Sequence, residues 1–188
     1  MMLSSSDIHQ ALKNGSLHVD PLFAGSIRPG GLGLHLGSRL LKPLPGRVVD
    51  VKNGVLPEYE EIIIHDESPH ALQPGEFLLG ATYERVTVGN NLGFLIEGRS
   101  TLARVGLTIV QTAMLVYPGH RERPVTLELA NHGPNSILLY PRMKIARVAL
   151  FELKTPATDP YDDNGKYRDQ VAVGPPIFKN EIADPLKK

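Results

Sequence analysis

Short β-compatible runs, each soon broken by glycine, proline or asparagine, follow one another along almost the whole chain. They cover residues 47–51, 61–65, 77–88, 93–97, 107–116, 125–130, 137–140 and 145–153. Turn-forming clusters stand between them, among them Gly89-Asn90-Asn91 and His132-Gly133-Pro134-Asn135. Glycine adopts positive φ freely and proline removes a ladder donor, so these clusters end strands and reverse the chain. Many short strands with frequent reversals predict a mostly β domain: a sandwich, a jelly roll or a distorted barrel.

One helix is expected ahead of the strands, over residues 4–14. Ser4 reads as its N-cap, Asp7 falls in its first turn, and Gly15 ends it. Ile8 and Leu12 share one stripe that can pack. The proline-rich segment after Leu153 reads as a tail lying extended over the surface or over a neighbouring subunit. The expected organisation is thus a domain over 1–153 and a tail over 154–188.

With 188 residues the chain can bury a real core. Twenty basic residues balance twenty acidic ones, so a broad electrostatic grip on nucleic acid is not expected and basic groups act locally. No apolar run reaches about 18 residues, and no basic-then-apolar leader opens the sequence. The expectation is a cytoplasmic protein, which the absence of cysteine fits. That absence also removes a mechanism. Zinc-dependent nucleobase deaminases hold their metal with two or three cysteines, so the His-x-Glu match at His120-Arg121-Glu122 is a coincidence of spacing.

The segment from Glu97 to Leu153 carries the chemistry. Gly98-Arg99-Ser100 leads into a helix-compatible stretch, with Ser100 as its expected N-cap. Exposed N–H groups there, with Arg99 and Arg104 beside them, predict a phosphate site. The same residues also read as a capped surface helix with ordinary charges. Further on, Val125, Leu127 and Leu129 alternate with Thr126, Glu128 and Ala130, placing Glu128 on the face opposite the apolar residues. Pattern alone leaves it either a solvated strand glutamate or a catalytic one.

Taken together, Gly98-Arg99-Ser100-x-Leu102-Ala103-Arg104-x-Gly106-Leu107, Pro118-Gly119, Thr126-Leu127-Glu128-Leu129 and Tyr140-Pro141-x-Met143-Lys144-Ile145 resemble the dCTP deaminase branch of the dUTPase-like superfamily. The likeness extends outward through Ile27-Arg28-Pro29, Leu34-x-Leu36-Gly37 and Pro74-Gly75-Glu76-Phe77 to Gly165-Lys166-Tyr167 and Gln170. It implies a dUTPase-like distorted jelly roll or β-barrel with a short N-terminal helix and one short helix at the phosphate site. It implies zinc-independent conversion of dCTP to dUTP and ammonia, with Glu128 as general base and proton carrier.

By the same resemblance, Ser100 and Arg104, with Arg99 beside them, bind phosphate and organise the reaction centre, and the backbone at Ala113 reads the pyrimidine edge. Lys166, Tyr167 and Gln170, with Tyr161 as a further candidate, close over the triphosphate; composition alone would read them as a disordered polar tail. A magnesium ion on the triphosphate, a homotrimer with sites between subunits, and dTTP as an inhibitor are also implied. No protein metal ligand is.

Several positions depart from the family. Tyr117 stands where aspartate usually precedes Pro-Gly, which argues against dUTP hydrolysis and a dUMP-forming enzyme. The highly charged loop 118–124 is one residue longer than usual. Gly33 replaces a usual aspartate, Arg142 a turn glycine and Arg147 a glutamine. Besides the deaminase, a catalytically weakened or inactive nucleotide-binding homologue stays open, as does a dUTP-hydrolysing or dUMP-forming relative.

Overall fold

A computed structural model describes residues 1–179 and 181–183, so the remainder of the expected tail lies outside the described residues. Helix α1 (Ser5–Asn14) forms where local signals demand it. The Asp7 N–H donates to Ser4 Oγ at 3.3 Å and the Ser4 N–H donates to the Asp7 carboxylate at 2.9 Å. Gly15 closes the helix at φ +80°. Ile8 and Ala11 are buried, and Leu12 packs against the core from a half-buried position.

The first seven strands are β1 (Leu17–Asp20), β2 (Ile27–Arg28), β3 (Gly31–His35), β4 (Arg39–Pro43), β5 (Tyr59–Ile63), β6 (His70–Leu72) and β7 (Phe77–Ala81). Then come β8 (Arg85–Val88), β9 (Leu92–Gly98), the one-turn helix α2 (Ser100–Ala103), β10 (Leu107–Thr108), β11 (Leu115–Val116), β12 (Thr126–Asn131), β13 (Ile137–Leu139) and β14 (Lys144–Glu152). A last short helix, α3 (Tyr161–Asn164), lies in the tail.

Two five-stranded antiparallel sheets dominate, ordered β10-β12-β7-β4-β5 and β11-β9-β14-β3-β2. Small ribbons β1-β8 and β13-β6 flank them. The core gathers Leu34, Phe94, Ile96, Val148 and Leu150 from one sheet with Leu40, Leu78, Leu127 and Leu129 from the other. Central strand β14 pairs with β9 from Ala146↔Gly98 to Glu152↔Leu92, and with β3 through Arg147↔Gly33. Close approach of β3 to β14 requires glycine at Gly31, where a Cβ would stand 2.4 Å from the Val148 carbonyl oxygen.

The jelly-roll-like expectation agrees with this architecture, while the barrel reading is corrected: the sheets do not close on one another. Residues 47–51 form no strand. Val48 and Val49 are exposed there, and an Asp50–Val55 bridge with bonds from Lys52 and Asn53 to the Asp50 carboxylate ties a turn instead. The runs at 77–88 and 107–116 each split into two strands. The tail is not extended throughout, since α3 folds it back. Strands β1, β2, β3, β4 and β6 were not expected.

Candidate active site

Glu128 sits on β12 with Leu127 and Leu129 buried on the opposite face, as the alternation predicts. Its Oε2 accepts from the backbone N–H of Gln111 at 2.8 Å, and its own N–H donates to the Ile109 carbonyl at 2.9 Å. Gln111 Nε2 reaches the Glu128 carbonyl at 3.3 Å. The segment between β10 and β11 is thus clamped to the carboxylate, and it carries Ala113. Oε1 has no hydrogen-bond partner among the described residues, which leaves it for a water or substrate proton.

Glu128 lines a cavity of about 830 Å³ with Gln111, Thr112, Ala113, Tyr117, His120, Arg123, Tyr161, Lys166, Tyr167 and Gln170. The tail forms its cover. The Tyr161 N–H donates to the Pro118 carbonyl at 2.8 Å. Gly119, at φ +80°, permits this contact, because a Cβ there would stand 2.4 Å from Pro160 Cβ. Tyr161 lies parallel to Tyr117, centroids 6.1 Å apart and planes within 2°. Gln170 Nε2 donates to Thr126 Oγ1 at 2.9 Å, and the Tyr167 N–H to Tyr161 Oη at 3.1 Å. Lys166 pairs with Glu181.

Two residues of the charged loop anchor this cover. Arg123 is 7% exposed, and its Nη1 donates to Asp162 Oδ1 and to the Arg168 carbonyl, each at 2.5 Å. Its Nε and Nη2 are buried without partners. Its Cζ also lies 5.8 Å from the centre of the Tyr161 ring. His120 packs edge-on against Phe94 and within 6.5 Å of Tyr161. Burial pushes its pKa down from 6.5 to about 4, so near neutral pH the ring is uncharged. Nε2, 3.2 Å from the Arg123 carbonyl, then carries the proton it donates there.

Sequence reasoning set His120 aside as a chance zinc match and treated Arg123 only as loop charge. The signal for both was the extra charged residue in 118–124, but their role depends on contacts with a tail some forty positions away. The strained φ of +44° at Glu122 marks the same rebuilt loop.

The phosphate residues stand elsewhere in the single chain. Ser100 is corrected from cap to first residue of α2; extended Arg99 takes the N-cap place, without a side-chain cap bond. The helix is a single turn with no buried residue, so its dipole is small. Arg104 is exposed, and Arg99 Nη1 donates to the Lys144 carbonyl at 3.0 Å. Ala113, Glu128, Tyr161, Lys166, Tyr167 and Gln170 therefore share one cavity, while Arg99, Ser100 and Arg104 lie outside it.

Magnesium prefers oxygen ligands. Among the described residues Glu128 is the one carboxylate lining the cavity, and its Oε2 is engaged by Gln111. No group of three or more histidines and carboxylates is arranged to hold a metal among the described residues. Around Arg99 the neighbouring side chains are cationic. These residues do not fit a protein-held magnesium ion.

The dCTP deaminase-like family model matches residues 2–153. The dCTP deaminase of Haloarcula marismortui is 37% identical over 185 residues, covering 95% of this chain and 94% of that protein. The dUMP-forming dCTP deaminase of Halobacterium salinarum is 36% identical over 178 residues, covering 90% and 91%. The crystal structure of 2'-deoxycytidine 5'-triphosphate deaminase from Agrobacterium tumefaciens superposes with a TM-score of 0.60 at 18% identity. That match spans 79% of this chain and 47% of the longer one, a likeness of fold.

Proposed function

The chain belongs to the dCTP deaminase-like family, and we propose that it hydrolyses dCTP to dUTP and ammonia without zinc. The observation that carries this reading is the Gln111 clamp on Glu128: one oxygen is held and the other left free, inside a cavity large enough for a nucleotide. A carboxylate so placed takes a proton from water as the water oxygen bonds to C4 of cytosine. The resulting carboxylic acid returns a proton to the amino nitrogen as the C4–N bond breaks and ammonia leaves. The backbone at Ala113 reads the pyrimidine edge. Lys166, Tyr167 and Gln170 close over the phosphates, with Tyr161 anchoring the tail.

Arg99, Ser100 and Arg104 act on a neighbouring subunit's nucleotide in this reading, since in one chain they lie outside the Glu128 cavity. That division supports sites formed between subunits, which in this reading belong to a homotrimer; the place of work proposed with it is the cytoplasm. Some relatives are named dUMP-forming and others are not. Tyr117 brings no carboxylate to activate a hydrolytic water, which favours dUTP as the end product.

A second reading, a nucleotide-binding homologue without turnover, draws on one observation: Tyr117 is stacked on the tail where the family usually carries the aspartate. Purified protein given dCTP, with dUTP in a parallel reaction, separates these readings. Ammonia with accumulating dUTP supports the deaminase. Pyrophosphate and dUMP overturn the assigned product, and binding of dCTP without turnover supports the second reading.

A further inference from the structure

Gly33 and Arg147 face each other across β3 and β14. Both are departures from the family, and both line one small concavity of about 30 Å³. Arg28, Arg99 and Lys144 complete its cationic wall. None of these four cations takes part in an ion pair among the described residues. Like charges gathered this closely repel one another unless an anion stands between them.

The buried carboxylate bonded to the concavity wall does not neutralise them. Glu84 is 1% exposed and fully committed to His35, its Oε1 lying 2.5 Å from His35 Nδ1 and its Oε2 accepting from the His35 N–H at 2.9 Å. His35 itself is 6% exposed and forms part of the concavity wall. With Nδ1 taken by Glu84, its Nε2 has no hydrogen-bond partner among the described residues. That nitrogen is reached by solvent, so it is the four unpaired cations that call for an anion.

Gly33 leaves room for that ligand. A Cβ built there meets only the Ser26 carbonyl oxygen, at 3.6 Å, an ordinary contact. The space at Gly33 therefore reflects the missing side chain rather than a tight backbone. Guanidinium groups donate in a planar fork that suits phosphoryl oxygens, and lysine adds a compact charge. The same four charges repel a hydrated divalent cation.

We propose that this concavity binds a phosphoryl oxyanion directly, its arginines and lysine supplying the neutralisation that a divalent metal would otherwise provide. The inference deepens the nucleotide reading, and rests on it insofar as the oxyanion is the phosphate chain of a nucleotide held by an adjoining subunit. A free polyphosphate presents the same chemistry.

Isothermal titration with inorganic tripolyphosphate, which carries no base, tests the site apart from deamination. The full chain is compared in EDTA and in magnesium with Arg147→Gln and with Gly33→Asp, which sets a carboxylate among the cations. Thermal unfolding checks folding of each variant, and light scattering its assembly. Wild type is expected to bind in EDTA within about threefold of its affinity in magnesium, and each folded variant to lose about tenfold or more. Displacement of tripolyphosphate by dCTP identifies the nucleotide's phosphates as the source; simultaneous binding of both identifies a separate polyphosphate site. Loss of wild-type binding in EDTA, or unchanged affinity in Arg147→Gln, overturns the proposal. A change of assembly in Arg147→Gln with affinity intact overturns it too, making the cluster a docking face for a second copy. Intact tripolyphosphate binding with no turnover of dCTP counts against the deaminase reading and leaves this one standing.

Discussion

Gln111 holds Glu128 through a backbone N–H rather than a side chain, 2.8 Å from Oε2. The hold on the carboxylate therefore depends on the path of the segment, which the Gln111 side chain also ties to β12 through the Glu128 carbonyl at 3.3 Å.

Glu128→Gln preserves that clamp, because the amide oxygen still accepts from Gln111, but it removes the base. Ammonia release from dCTP is expected to fall by about a hundredfold or more, with dCTP affinity within about threefold of wild type. Coupled ammonia assay and titration calorimetry read the two quantities. Full turnover would refute the role given to Glu128.

Arg104→Ala is expected to weaken dCTP binding several-fold through loss of a charge-assisted contact. The more telling experiment mixes it with Glu128→Gln. If sites form between subunits, random reassembly of the two weakened variants creates sites with both wild-type groups, and activity returns to about a quarter of wild type. A mixture no more active than its components would place the two residues in separate machinery.

His120 ties stability to pH. Its folded pKa is held near 4 by burial, against 6.5 for the exposed ring. Between those values the unfolded chain takes up a proton that the folded chain refuses. The contribution is therefore complete above pH 6.5 and is lost as pH falls toward 4. From pH 7 to 5 the loss attributable to this residue is about 2 kcal/mol. Urea unfolding at both pH values should show a smaller drop for His120→Gln; equal drops would exclude His120 as the source.

Arg142 occupies left-handed backbone at φ +61°, a conformation that suits glycine better than arginine. Its pairing with Asp66 at 2.5 Å is surface-exposed and offsets little of that strain. Arg142→Gly is expected to raise stability by up to about 1 kcal/mol, seen as a higher urea midpoint at unchanged slope. A lower midpoint would mean that the Asp66 contact outweighs the backbone.

What the sequence disclosed followed the range of each interaction. Helix α1 was legible because Ser4, Asp7 and Gly15 act within a few residues of one another, and the face of Glu128 because strand alternation is local. Strands β3 and β4 were hidden. Gly31, Gly33 and Pro43 look like turn signals, yet β14 and β7 recruit these segments from afar. Val48, Val49 and Val51 misled in the other direction, being apolar but never covered. The site followed the same rule. Its motif words marked Glu128 and Lys166, whereas the work of Arg123 exists only once Asp162 has folded back beside it.

The cover over the Glu128 cavity comes from the same chain, and this fixes the order of its kinetics. Closing of the tail is a first-order event, so dilution leaves its equilibrium untouched. In the proposed assembly, by contrast, the groups at 99–104 arrive with another copy and become scarcer as protein is diluted. Enclosure by the tail and completion by the 99–104 groups thus respond differently to concentration: in that assembly a dissociated protomer keeps its closed tail and loses its turnover.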